Sequence, residues 1–135
     1  MTLTIKDVEE ILGLYRILPK PKHVIMTHES VIAKTDGHVV FLGLQPKWRK
    51  DVIVLTPQAT PETVIHETLH TMGFGELGAD ILGKVLVVKY EITRNFPLLK
   101  RIISRKVEYT RCYGCQEFAE LHNKYAGRAE HYVKK

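Results

Sequence analysis

The residues with the clearest chemical potential stand in one short run, His66-Glu67-Thr68-Leu69-His70. Two histidines four positions apart lie on one face of an α-helix, one turn above each other, so both imidazoles can reach a single zinc ion. The glutamate beside the first histidine can direct its carboxylate at a zinc-bound water and act as a general base. The run therefore predicts a hydrolytic zinc centre with His66 and His70 as ligands and Glu67 as the base. A pair of exposed or core histidines is the simpler alternative.

Two acidic residues downstream, Glu76 and Asp80, are candidates to complete this centre. A catalytic zinc takes three protein ligands and keeps a fourth position open. Gly73 and Gly75 allow a sharp reversal, so Glu76 at the start of a second helix can supply the third ligand. Asp80 lies one turn further on, and we expect it to accept a hydrogen bond from the second ring nitrogen of His66. Alternatively, Glu76 is an acid that the helix dipole favours at the start of a helix, and Asp80 is a surface acid.

The elements that must position these side chains follow from capping and periodicity. Thr60 is expected to cap the histidine helix, with Pro61 in its first position, and the helix is expected to reach about Met72. Thr4 begins an earlier helix by the same logic, and its apolar spacing continues until Pro19. Strands are expected over 23–27, 30–34, 39–44 and 52–55, and further helices over 76–93, from Pro97 to about 106, and around 116–126. This order predicts an α+β domain with a small antiparallel or mixed sheet.

Length and composition indicate one intracellular domain spanning residues 1–135. The chain is 44% hydrophobic, which is enough for one core, and its longest apolar runs are about four residues. A membrane-spanning helix needs about 18 or more, and the N-terminus carries acids where a signal peptide would be apolar. Two cysteines are too few for a disulfide scaffold. We therefore expect a cytoplasmic protein with reduced thiols and no membrane contact.

The net charge of +5 is concentrated in the last third of the chain. Residues 1–93 hold ten Lys and Arg against eleven Asp and Glu, whereas residues 94–135 hold ten against four. We expect a basic, helical C-terminal part from about residue 94. It lacks the interleaved aromatic residues of a nucleic-acid stacking surface, so a solvated basic face is favoured over a nucleic-acid partner.

A second cluster of potential metal ligands lies in the C-terminal part. Cys112 and Cys115 could hold a structural zinc together with His122 and His131. Their spacing matches no common zinc finger, so thiols without metal are favoured.

A peptide-cleaving centre would also need a group that stabilises the developing oxyanion. The sequence leaves four candidates open: Tyr90, Tyr109, Tyr113 and His122.

The pattern His-Glu-x-x-His followed by Glu-x-x-Ala-Asp resembles the gluzincin zinc metallopeptidases, above all the small minigluzincins and the soluble core of HtpX-type peptidases. The resemblance covers about residues 39–85. It implies a zincin-like fold in which His66, His70 and Glu76 bind one zinc and Glu67 is the general base.

The resemblance also implies that residues 39–44 form the edge strand along which an extended peptide lies. Five residues separate His70 from Glu76, fewer than in most gluzincins.

The same letters read His-Glu-x-x-His-x-x-Gly-x-x-Glu, which is similar to the metzincin motif. Metzincins need a methionine turn downstream, and none of the methionines, Met1, Met26 and Met72, follows the motif. Both resemblances imply the same three ligands.

Together these features predict a zinc-dependent endopeptidase, with one zinc per chain, that acts on extended segments of peptides or proteins. Two alternatives stay open: a non-catalytic protein in which zinc holds two helices together, and a basic adaptor associated with nucleic acid. Glu67 favours the enzyme, because a purely structural site does not need a base.

Overall fold

The computed structural model describes residues 3–27, 31–33, 39–41, 43–44, 51–112 and 129–135. Four helices and seven strands lie within these residues. The helices are α1 (Ile5–Gly13), α2 (Pro61–Thr71), α3 (Glu76–Thr93) and α4 (Pro97–Ile103). The strands are β1 (His23–Thr27), β2 (Val31–Ala33), β3 (Val39–Phe41), β4 (Gly43–Leu44), β5 (Val52–Leu55), β6 (Tyr109–Arg111) and β7 (Ala129–Lys134).

The main sheet has five strands in the order β4-β5-β1-β7-β6. The central pair β1 and β5 is parallel, with His23 opposite Val52, whereas the remaining pairs are antiparallel. β2 and β3 form a separate antiparallel pair. The predicted α+β class and the mixed sheet are confirmed.

The core lies where α1 and α2 cover the sheet. All four residues of β5 are buried, as expected for a strand with packed faces on both sides. Apolar side chains from α1, α2, β1 and β5 fill this space: Val8, Ile11, Leu12, Val24, Ile53, Leu55, Val64, Ile65 and Leu69. In the part of the chain that the structure describes, no helix combines the length and apolar character needed to cross a membrane.

Helix α1 begins as predicted but ends earlier. The Thr4 hydroxyl accepts a hydrogen bond from the Asp7 amide, and the Asp7 carboxylate accepts one from the Thr4 amide at 2.8 Å. The helix stops at Gly13, whose carbonyl accepts a hydrogen bond from the Arg105 amide. Leu14, Tyr15 and Leu18 beyond this point are still buried, in a non-helical segment that leads to Pro19.

The prediction of a helical C-terminal part is correct only as far as α4. Residues 109–111 and 129–134 are strands, and β7 lies inside the sheet between β1 and β6. Six residues of β7 are too short a stretch for periodicity to decide, and pairing with β1 settles their conformation. The helix expected around 116–126 lies outside the described residues. The strand expected over 39–44 is divided into β3 and β4, which belong to different sheets.

Candidate metal centre

The start of α2 is fixed by reciprocal capping. The Thr60 hydroxyl accepts a hydrogen bond from the Thr63 amide, and the Thr63 hydroxyl accepts one from the Thr60 amide at 3.0 Å. Pro61 occupies the first turn, where its missing N–H leaves no helical hydrogen bond unmade. The helix therefore begins at a defined residue, and His66 and His70 follow one turn apart on the same face.

The chain then reverses through a short turn and returns along α2. Gly73 adopts φ 96°, in the left-handed region that favours glycine, and Gly75 precedes the first residue of α3. Further along α3, a methyl group added at Gly83 would lie 3.7 Å from the His66 Cβ. The two helices therefore approach closely beside the first histidine.

His66, His70 and Glu76 converge on one point. The two imidazoles and the carboxylate form a triangle of three groups: the two Nε2 atoms are 3.1 Å apart, His66 Nε2 lies 2.9 Å from Glu76 Oε1, and His70 Nε2 lies 3.1 Å from Glu76 Oε2. Ligands held at 2.0–2.1 Å in a tetrahedral zinc site are about 3.3–3.4 Å apart. The three side chains therefore fit zinc after shifts of a few tenths of an ångström.

The ring of His70 is held in the tautomer that a metal needs. Its Nδ1 lies 2.8 Å from the Phe74 carbonyl oxygen. Because a carbonyl oxygen can only accept, Nδ1 carries the proton and donates it, which leaves the Nε2 lone pair free for a metal. Sequence reasoning missed this contact, since a backbone acceptor in a turn has no residue-type signature.

Glu67 lies beside the triangle in a buried position. Its Oε1 is 3.9 Å from His66 Nε2, and its buried Oε2 has no hydrogen-bond partner among the described residues. Burial, together with the negative charge of Glu76, raises the pKa of Glu67 to about 8. A cation held by the histidines would oppose both effects. His66, Glu67 and His70 together form a group whose ligand atoms lie close enough to share a metal ion.

The predicted hydrogen bond from His66 to Asp80 is not present among the described residues. Asp80 lines the same cleft, but its Oδ2 lies 3.3 Å from Lys84 Nζ in a pair one turn apart on α3. The helical register explains the difference, since Gly83 is the α3 residue that packs against the His66 backbone. Asp80 is instead half exposed and pairs along its own helix.

The triangle opens into a cleft of about 280 Å³, whose described lining residues are all of polar types. Neither Tyr90 nor Tyr109 is among its described lining residues. The Tyr109 hydroxyl donates to the Pro21 carbonyl oxygen at 2.6 Å, which commits that group elsewhere. Tyr113 and His122 lie outside the described residues. The described lining comprises Thr60, Glu62, Thr63, His66, Glu67, Glu76 and Asp80.

The second cluster of ligand candidates is only partly described. Cys112 is disulfide-bonded, contrary to the expected reduced thiol, and so offers no thiolate to a metal in this state. His131 Nε2 lies 3.0 Å from His23 Nδ1 across the β1–β7 pair. Cys115 and His122 lie outside the described residues.

Comparison with known protein families, with curated proteins and with solved structures found no match.

Proposed function

We propose that this chain is a zinc-dependent endopeptidase with a zincin-like fold. The observation that carries the proposal is the triangle of His66 Nε2, His70 Nε2 and a Glu76 carboxylate, with the buried Glu67 carboxylate beside it. Three protein ligands and a neighbouring base are the composition of a catalytic zinc site, whereas a structural site is closed by four ligands. Zinc bound there supplies Lewis acidity, which polarises a carbonyl group and lowers the pKa of water.

The side chains of the site have separate proposed roles in the reaction. His66 and His70 hold their Nε2 atoms together beside the Glu76 carboxylate, and the Phe74 carbonyl keeps the second ring in the correct tautomer. Glu67 accepts the proton of the attacking water and passes it to the leaving amine, so the carboxylate ends each cycle unprotonated. Its buried Oε2 has no competing hydrogen-bond partner, which supports this role.

The edge of the sheet supports an extended peptide as substrate. β4 is the outermost described strand beside β5, and it packs against α2. An exposed strand edge presents unpaired N–H and C=O groups, which an extended peptide can satisfy as an added strand. We propose that the substrate backbone pairs with this edge while its scissile bond lies over the histidines.

The decisive experiment compares Glu67→Gln with the parent protein on a general substrate such as casein. We expect Glu67→Gln to retain one zinc per chain by elemental analysis and to lose hydrolysis, because only the base is removed. Glu91→Gln, an acid near the far end of α3, is the matched control and should keep full activity. Hydrolysis by Glu67→Gln at the parental rate would contradict the mechanism.

A structural zinc is the second candidate function, because the ligands come from two helices. A metal bound by α2 and α3 would join them irrespective of chemistry. Parent protein that holds one zinc and is more stable with it, but cleaves no peptide under any condition tested, would favour this alternative.

A further inference from the structure

The outer face of α3 carries a row of apolar side chains with no partner among the described residues. Five of them are between 47% and 74% exposed, although they are large and hydrophobic. We name this row the α3 outer stripe: Leu77, Ile81, Val85, Val88 and Ile92.

The spacing of the stripe is helical, so its members share one face. Intervals of three and four residues keep side chains within about 80° of one another at 3.6 residues per turn. The opposite face carries Ala79, Gly83 and Val87, which are buried against the rest of the protein. A helix that is apolar on both faces is typical of an element covered on both sides.

A separate groove lies beside α3, where Leu86 and Lys89 line it. It has a volume of about 490 Å³ and lies between α3, α4 and the segment after α1. Ile17 and Ile102 line it and are 72% and 79% exposed. The five stripe residues alone expose on the order of 500 Å², so two copies paired along them would bury on the order of 1,000 Å², the lower end of the range for a specific interface.

We infer that the α3 outer stripe is the interface of a homodimer, in which α3 packs antiparallel against α3 of a second copy. The order of the stripe suits a two-fold axis. Along the helix, the midpoint between Leu77 and Ile92 falls between residues 84 and 85, and the midpoint between Ile81 and Val88 falls at the same place. Val85 lies beside this midpoint. A two-fold axis there places each side chain opposite an apolar one, as an isologous interface requires. This inference is independent of the zinc centre.

The test is sedimentation velocity of the full chain over a range of concentrations. We expect the parent to be a dimer and Val85→Glu to dissociate it, raising the Kd by at least about tenfold, because two carboxylates would be buried near the axis. Leu98→Glu is the matched control, since Leu98 is 76% exposed on α4 and lies outside both stripe and groove. Far-UV circular dichroism of both variants should match the parent, because neither side chain is in the core.

Cysteine cross-linking tests the orientation. Val85→Cys should form a disulfide-linked dimer by itself, whereas Leu77→Cys and Ile92→Cys should link efficiently only when mixed. The parent protein serves as the control, because it shows how much cross-linking arises from Cys112 and Cys115.

Three results would overturn the inference. A monomeric parent at high micromolar concentration would remove the dimer, and flotation of that monomer with lipid vesicles would assign the stripe to a membrane surface. A dimer that persists in Val85→Glu would place the interface elsewhere. Self-linking of Leu77→Cys would contradict the antiparallel arrangement.

Discussion

Glu76 is much the most exposed of the three candidate ligands, with 81% of its side chain accessible against 16% and 17% for His66 and His70. The histidines are positioned by α2, whereas the carboxylate reaches them from the first residue of α3. A ligand that closes the site from its exposed side allows the metal to enter before coordination is complete. Its substitution should therefore weaken binding without disturbing the core.

Zinc affinity should separate Glu76 from Asp80. Glu76→Ala leaves two imidazoles, so we expect its loss of affinity to exceed the 10–100-fold typical of a lost supporting hydrogen bond. Asp80→Ala should change affinity far less, because the structure pairs Asp80 with Lys84 and not with His66. Competition with a chromophoric chelator measures both, with Glu91→Ala as control. Equal losses for Glu76→Ala and Asp80→Ala would mean that Asp80 supports the site after all.

Glu67 should give the metal-free protein a characteristic dependence on pH. Its pKa rises from the ordinary 4.5 to about 8 on folding, so the folded state holds a proton that the unfolded chain releases. This contribution to stability is complete below about pH 4.5 and is lost as the pH rises through 8. Urea denaturation in a chelator should show the parent losing stability relative to Glu67→Gln across this interval. A constant difference between the two would contradict the raised pKa.

Residue types predicted the candidate site only where chemistry and helical spacing coincide. His66, Glu67 and His70 were predicted because their geometry follows from a single helix. The hydrogen bond expected between Asp80 and His66 is not formed in this structure, because it depends on how the two helices pack near Gly83. The Phe74 carbonyl could not be predicted, since every residue carries the same acceptor.

Gly13 and Gly83 both lie where two elements approach closely, but we expect substitution by alanine to affect stability differently at the two positions. A methyl group at Gly13 would clash with the Arg105 carbonyl oxygen, which is backbone and cannot easily move aside. We expect Gly13→Ala to cost about 1–3 kcal/mol of unfolding free energy. At Gly83 the nearest atom is 3.7 Å away, so Gly83→Ala should be neutral or add up to about 1 kcal/mol through helix propensity. Thermal denaturation compares them, and equal Tm values would contradict the close packing at Gly13.

At the level of elements, the sequence predicted those that carry their own start signals. Thr4 and Thr60 mark helix starts that the structure confirms, and α3 occupies the predicted 76–93. β6 and β7 were missed because short strands depend on distant partners for their pairing. The separation of β3 from β4 could not be predicted from the local sequence either, since it depends on which sheet each strand joins.

For the molecule as a whole, zinc bound between α2 and α3 should stabilise the folded state. Because the folded state alone assembles His66, His70 and Glu76, free zinc at 100 times its Kd should add about 2.7 kcal/mol of stability. For a domain of this size we expect a Tm increase on the order of 10 °C. Differential scanning calorimetry with and without chelator measures it, and Glu76→Ala should lose most of the increase. An unchanged Tm in the parent would argue that these side chains do not bind zinc.

The interior place of β7 governs the order in which the protein can be completed. His23 and His131, neighbours across the β1–β7 pair, are 108 residues apart in the chain. At about 5–20 residues per second, β1 leaves the ribosome on the order of 5–20 s before its partner strand. Helices α2 and α3, joined by a short turn, can form during that wait, whereas one edge of β1 stays open to other strands. A nascent chain paused before residue 129 would therefore already contain all three candidate zinc ligands, yet would still expose the central strand to aggregation.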